Sequence, residues 1–204
     1  YSISTDDGDT WSDADWLNSN WETDSEDVGW NTFAAGDDGT FVATWDTVEV
    51  PGVGRENTQA DVRFARMADE ETTWTTVAYL DPDWDYDDVG ALDMRIETAG
   101  DGNGNWVSIW SSADELDGTA ETTGTVRADT DMLVARSFNN ATSWTVPVEL
   151  NADADTDSWD DNFSDIATNG RGNWIAVWSA AGTSVSLYGE DMDIMISFSD
   201  DGGI

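Results

Sequence analysis

The sequence predicts an all-β protein built from three repeated units of about four strands each, and three observations carry that prediction. An eight-residue pattern ending in tryptophan recurs along the chain. A glycine turn followed by an aromatic strand recurs in step with it. A short segment of alternating apolar and polar residues precedes each later copy of the pattern.

The first copy of the octad, residues 4–11, reads STDDGDTW and places Ser4, Asp6, Gly8, Thr10 and Trp11 in an S-x-D-x-G-x-T-W frame. The second, MADEETTW, keeps Asp69, Thr73 and Trp74. The third, SFNNATSW, keeps Ser137, Ser143 and Trp144 and puts Asn139 in the place of aspartate. A fourth, SDDGGI, keeps Ser199, Asp201 and Gly203 and stops short of its expected Thr-Trp. Counted this way the repeats run over residues 1–66, 67–136 and 137–204, with a period of roughly 62 to 70 residues.

The aromatic strands read DDGTFVATW, GNGNWVSIW and GRGNWIAVW and end at Trp45, Trp110 and Trp178. The alternating segments are DVRFAR, DMLVAR and DIMISF, whose Asp61, Asp131 and Asp193 each stand six residues before an octad. In the third repeat the four expected strands are SWTVPVEL, FSDIATN, NWIAVWSA and DMDIMISF. β-branched and aromatic residues alternate between Gly, Asn and Asp turns, and helical signals are nearly absent. Repeated four-stranded units of this size are what a β-propeller requires.

Composition narrows the chemistry. The 204 residues carry 44 acidic and seven basic side chains, a net charge of −37, with no His and no Cys. All seven bases are Arg. Most zinc sites, thiol nucleophiles, imidazole bases and disulfide frameworks are therefore excluded. Thirteen Trp, six Phe and four Tyr separate the chain from disordered acidic sequences, which lack aromatics. A folded surface this acidic repels itself unless cations screen it, so a salty or calcium-bearing medium is expected. Nucleic acid and anionic membranes are poor partners on the same ground, and no apolar run is long enough to span a bilayer. With neither an initiator Met nor a signal peptide, a mature or excised piece of a larger protein is expected.

The octad resembles the Asp-box of BNR repeats, found in sialidases and related β-propellers. The resemblance covers the whole chain and implies half of a six-bladed, sialidase-like propeller: three four-stranded blades. It also implies that each box forms the hairpin between the third and fourth strands of a blade, on the rim away from the active centre. The chemistry agrees. The Asp carboxylate accepts backbone N–H groups within its own turn, Gly8 takes a conformation other residues resist, and the indole of Trp11 is expected to pack over the hairpin with its N–H on a carbonyl. The octad is thus expected to be architecture.

A sialidase of this type needs three Arg for the substrate carboxylate, a Tyr nucleophile with a Glu partner, and an acidic proton donor. Arg95 is the one Arg on an expected first, axis-lining strand; Arg63, Arg66 and Arg136 fall on outer segments, and Arg55, Arg127 and Arg171 in loops or turns. The Arg-Ile-Pro motif is missing, and Tyr79, Tyr86, Tyr188 and Glu97 have no recognisable partner. No catalytic residue is carried over.

A second constellation follows each box. Seven, nine, eleven and thirteen residues after the box Trp stand Asn18, Asn20, Glu22 and Asp24, then Asp81, Asp83, Asp85 and Asp87, then Asn151, Asp153, Asp155 and Asp157. Alternating oxygen ligands resemble the front of a calcium loop, without its central Gly or closing Glu. Asp83, Asp85, Asp87, Asp153, Asp155 and Asp157 are the candidate ligands, and calcium the one candidate cofactor.

The expected function is a non-catalytic extracellular or cell-surface propeller segment that binds a glycan or protein partner. The alternatives are a sialidase-type glycoside hydrolase with its catalytic residues elsewhere in a longer parent, and a structural surface module. Trp16, Trp21, Trp30, Trp84 and Trp159 are candidates for stacking on a sugar. Unpaired strands at both ends predict a homodimer completing six blades, or a chain cut from a longer propeller.

Overall fold

The computed structural model describes residues 1–18, 22, 26–49, 60–69, 71–81, 92–113, 116, 129–152, 154, 158–182 and 191–203. Within them the chain is all-β, in three antiparallel sheets. The first contains β1 (Glu26–Ala35), β2 (Phe41–Glu49), β3 (Ala60–Met67) and β4 (Ala78–Tyr79). The second contains β5 (Met94–Gly100), β6 (Trp106–Ser112), β7 (Asp131–Ser137) and β8 (Val148–Glu149). The third contains β9 (Trp159–Thr168), β10 (Trp174–Gly182) and β11 (Met192–Ser199). In each sheet neighbouring strands follow one another in sequence, so every unit is a simple meander.

Two sheets thus have the four strands expected of a blade, and the third has three among the described residues. The segment SWTVPVEL, expected to open the third unit, instead contributes β8 to the second sheet, pairing Val148 with Val134 and Glu149 with Leu133. The reason is the octad itself. A tight hairpin returns the chain alongside the strand it has just left, so the segment after each octad closes the old sheet.

The central strands are the most buried. Every residue of β6 is buried, with Trp106 and Trp110 at 1% and 0% exposure. Burying an indole of 150–250 Å² removes roughly 4–6 kcal/mol of unfavourable hydration per ring, before entropy is counted. The cores lie between sheets as well as within them. Val62, Phe64 and Leu80 of the first unit pack with Ile96, Trp110 and Leu133 of the second. Val107, Ile109 and Met132 of the second pack with Ile166, Trp174 and Trp178 of the third.

The first strands β1, β5 and β9 stand side by side, the place of axis-lining strands in a propeller. The β1–β2, β5–β6 and β9–β10 turns share one rim with the octad hairpins, as the pairs Phe41–Met67 and Trp106–Ser137 require. Asn140 ties that rim together. It donates from Nδ2 to Asp38 Oδ2 (2.8 Å) and Thr40 Oγ1 (2.9 Å), and accepts from Trp106 Nε1 at 3.1 Å.

Candidate functional site

The innermost strand of each sheet carries one bulge. The ladder slips between Val28 and Asn31 on β1, between Met94 and Glu97 on β5, and opposite Val177 and Ser179 on β9. A bulge frees a residue from the ladder and re-aims its neighbours. The residues freed here are Gly29 and Trp30, Arg95 and Ile96, and Phe163 and Ser164. Arg95 (φ 58°) and Phe163 (φ 55°) hold a left-handed backbone that costs a non-glycine residue about 1–3 kcal/mol. Gly29 meets a different constraint, because a Cβ there would fall 2.0 Å from Asp46 Oδ1.

Asp46, buried on β2, joins two of these bulges. Its Oδ1 accepts the N–H of Trp30 at 2.6 Å and its Oδ2 the N–H of Arg95 at 2.9 Å. Burial pushes the Asp46 carboxyl above its ordinary value, while those two N–H groups and the Arg95 charge hold it part of the way back. The Arg95 side chain then crosses to the third sheet, donating from Nη1 to Asn162 Oδ1 at 2.7 Å and lying 4.1 Å over the Phe163 ring. Glu97 accepts from Trp30 Nε1 at 3.2 Å and from Thr32 Oγ1 at 3.1 Å. Trp30 and Phe163 remain 54% and 59% exposed. The outcome is a continuous surface cluster of two rings, one guanidinium, one carboxylate and one amide, drawn from all three sheets.

The cluster sets exposed rings beside charged, hydroxyl and amide groups, with the Thr32 hydroxyl donating to Glu97. Both oxygens of Asp46 already accept backbone N–H groups. Tyr79 sits on the outer strand β4 beneath Arg63, whose guanidinium lies 3.5 Å from its ring centre. A cavity of about 170 Å³ lies at the seam of the second and third sheets, and one of about 260 Å³ lies between the N-terminal hairpin and the first sheet, where Asn31 and Thr32 border the cluster.

The octads occupy the β3–β4 and β7–β8 hairpins and follow β11. In the first, Ser4 Oγ donates to Asp6 Oδ1 (2.8 Å) and accepts from Gly8 N (2.9 Å), and Thr10 N donates to Asp6 Oδ1 (2.9 Å). These bonds, led by the Thr10 hydroxyl, hold the exposed Asp6 carboxyl below its usual range. The third repeats the network with Ser137, Asn139, Ala141 N and Ser143 N at 2.9–3.0 Å. The fourth repeats its first half, with Ser199 Oγ 2.8 Å from both Asp201 Oδ1 and Gly203 N. In the second, Met67 offers no hydroxyl, and Ala68 N donates to Glu71 Oε2 at 3.4 Å. Asp69 and Thr73 stand in this hairpin, where a Cβ on Gly39 would fall 2.5 Å from Asp69 Oδ1.

The indoles depart from expectation. Trp11 is 66% exposed and covers little, while Trp74 and Trp144 are half-buried, their Nε1 groups without a hydrogen-bond partner among the described residues. They pack as hydrophobic faces between units, and the N–H goes unanswered. The residue after each box Trp is a further constant that sequence reading missed. Ser12, Thr75 and Thr145 accept with their hydroxyl oxygens from Ile3 N, Arg66 N and Arg136 N at 3.0–3.1 Å. Their common phase in the sequence was the available signal.

Asp83, Asp85, Asp87, Asp153, Asp155 and Asp157 lie outside the described residues, as do Trp21, Trp84, Tyr86 and Tyr188. Of the same series, Asn151 is buried and bonded inward, accepting from Met132 N at 3.2 Å and donating to Asp131 Oδ1 at 3.1 Å. Among the described residues no group of three or more His, Cys, Asp or Glu side chains is arranged to hold a metal ion. Trp16 is exposed on the N-terminal hairpin and Trp159 half-buried at the start of β9.

No protein-family model and no curated protein matches the chain. Solved structures do. The chain is similar to Trypanosoma rangeli sialidase in complex with the inhibitor DANA, with TM-score 0.53, 17% identity, 87% of this chain covered and 30% of that one. For the same sialidase in complex with sialic acid the TM-score is 0.52 and the identity 18%, covering 86% of this chain and 29% of that one. This likeness establishes the fold as part of a sialidase-like propeller. The chain spans about a third of the length of those sialidases.

Proposed function

We propose that the chain is a glycan-binding unit of an Asp-box propeller and does not itself catalyse sialoside cleavage. The observation that carries the reading is the cluster on the first strands, where exposed Trp30 and Phe163 rings adjoin Arg95, Glu97 and Asn162. Sugar rings present apolar C–H faces that stack on aromatics and hydroxyls that bond to carboxylate and amide groups, and this cluster offers both. The overall charge of −37 favours a neutral glycan over an anionic one. Against sialidase chemistry, Arg95 stands alone of the described Arg in the cluster. Arg63 is stacked on Tyr79, and Arg171 lies in the β9–β10 turn.

The reading places the octads as architecture and the protein outside the cell in a medium rich in salt or calcium. Calorimetric titration with a panel of neutral oligosaccharides is expected to find at least one ligand. Trp30→Ala should weaken it about tenfold, near 1.4 kcal/mol. A panel without a binder, or a Trp30→Ala chain that binds as well as the parent, overturns the assignment. No fluorogenic group should be released from a sialoside above background, and clear release would restore the hydrolase reading.

A further inference from the structure

Trp30, Arg95 and Phe163 hold one position in three repeats. The inner hairpins close on the pairs Ala35–Phe41, Gly100–Trp106 and Thr168–Trp174. Each of the three residues stands five before its closing pair, on the innermost strand. Asp46, Ser111 and Ser179 stand five after it, on the central strand. The first unit thus has a carboxylate where the other two have a hydroxyl. What that difference implies rests on the glycan-binding reading above.

A carboxylate has two acceptor oxygens and can hold two N–H groups at once, whereas a serine offers a single oxygen on a shorter side chain. Asp46 uses both oxygens. Oδ1 takes the N–H of Trp30 on its own sheet, and Oδ2 takes the N–H of Arg95 on the next. Asp46 is only 5% exposed, so water competes little for these charge-assisted bonds. The sequence makes room for it at Gly29, where the three atoms nearest an added Cβ would all belong to Asp46. In the second unit the Ser111 hydroxyl donates elsewhere, to Met132 Sδ at 3.7 Å. There the step to the third sheet is made by the Arg95 side chain, through Asn162 and the Phe163 ring.

We propose that Asp46 is the positioning residue of this site, fixing Trp30 and Arg95 as one ligand-binding surface across two sheets. It is buried and acts without touching the sugar. The two N–H groups it holds set where the bulged backbones lie, and so where the indole and the guanidinium point. Arg95 in turn holds Asn162 and lies on Phe163, so loss of the carboxylate loosens the cluster on all three sheets. Asparagine keeps one acceptor oxygen and sets an NH2 group in place of the other, so it cannot take both N–H groups.

Amide hydrogen exchange read by NMR tests the positioning without a ligand. In Asp46→Asn, and in Asp46→Ser with the residue the other two repeats carry, the Trp30 and Arg95 N–H groups should exchange about tenfold faster. The N–H groups of Trp106, Val107 and Ser108 on buried β6 are the reference and should keep their rates. Gly29→Ala should act like Asp46→Asn by displacing the carboxylate, and should add nothing to Asp46→Ser, whose shorter side chain leaves room. Calorimetry with malto-, cello-, xylo- and mannohexaose reads the consequence for binding. Asp46→Asn should raise the Kd of whichever of these binds wild type most tightly by about tenfold. Trp30 and Arg95 N–H groups that exchange no faster than the reference overturn the positioning role, and so does a Gly29→Ala effect that adds to Asp46→Ser. Faster exchange with an unchanged Kd overturns the role in binding. A wild-type chain that binds none of the four sugars overturns the glycan reading, while the exchange rates still decide whether Asp46 positions the two residues.

Discussion

Trp11 and Trp144 hold the same position in an octad, yet their surroundings set very different consequences for removing them. Trp144 bridges two units through Phe64 and Val42, so Trp144→Ala should open a cavity in a seam and cost about 3 kcal/mol. Trp11→Ala, at an exposed site, should stay within about 0.5 kcal/mol when the chain is monomeric. Urea melts of the two variants at low protein concentration measure the difference. Asp46 and Asp101 form a second contrast, in the sign of their pH dependence. Burial raises the Asp46 carboxyl, so the folded state holds its proton more tightly than the unfolded chain does. The stability Asp46 confers should therefore fall as pH rises from 3.8 through its raised value, and stay level above it. At Asp101 burial also pushes upward, but bonds from the Asn105 side chain and the N–H groups of Asn103 and Asn105 outweigh it and the net shift is downward. Its contribution should be full above 3.8 and lost as pH falls through the lowered value. Subtracting the urea stability of Asp46→Asn and Asp101→Asn from wild type across acidic pH should give slopes of opposite sign; equal slopes would remove the assignment.

At the scale of the element, the two ends of the sheets have different grammars. The octad rim is held by side chains that read the backbone of their own turn, and such local bonds leave a fixed spacing in the sequence. That is why Ser4, Asp6, Gly8 and Thr10, with their counterparts from Ser137 and Ser199, are legible in the sequence alone. The candidate site was legible in part. Trp30, Arg95 and Glu97 could be singled out by type and strand position. Asp46, Asn162 and Phe163 could not, because their partners lie 49 residues away (Asp46 with Arg95) and 67 (Arg95 with Asn162), and bulges leave no local spacing to read. Strand existence followed from alternation, whereas sheet membership of the segment before β9 depended on a hairpin reversing the chain. Between these regimes stands Asn140, whose octad position is local but whose bonds reach Asp38, Thr40 and Trp106 across two rim turns. Asn140→Ala strands the buried Trp106 N–H and should cost about 1–3 kcal/mol, read as a lower denaturation midpoint at unchanged m-value. A change under 0.5 kcal/mol would mean that the rim turns hold without it.

Over the whole molecule, 44 acidic side chains on three thin sheets make self-repulsion the term that distinguishes this chain from a neutral protein of the same fold. Burial adds to the cost at Asp46, whose carboxyl it holds above its ordinary value. Charges spread over a surface are screened once the Debye length falls from about 10 Å at 0.1 M salt to about 3 Å at 1 M. The melting temperature should therefore rise steadily with sodium chloride across that range. Calcium acts differently if the alternating carboxylates after each octad converge on it, because a bound ion contributes RT ln(1 + [L]/Kd), about 2.7 kcal/mol at a hundredfold excess. Above Kd that contribution keeps growing with the logarithm of calcium concentration, and it persists at constant ionic strength, where pure screening by sodium adds nothing further. Thermal melts with millimolar calcium against matched sodium chloride separate the two. A calcium increment that grows with the logarithm of concentration at constant ionic strength, and that Asp83→Asn with Asp85→Asn reduces, locates the ion in those loops. Equal curves for the two salts reduce the effect to screening, and a melting temperature indifferent to both removes the electrostatic expectation of a saline medium.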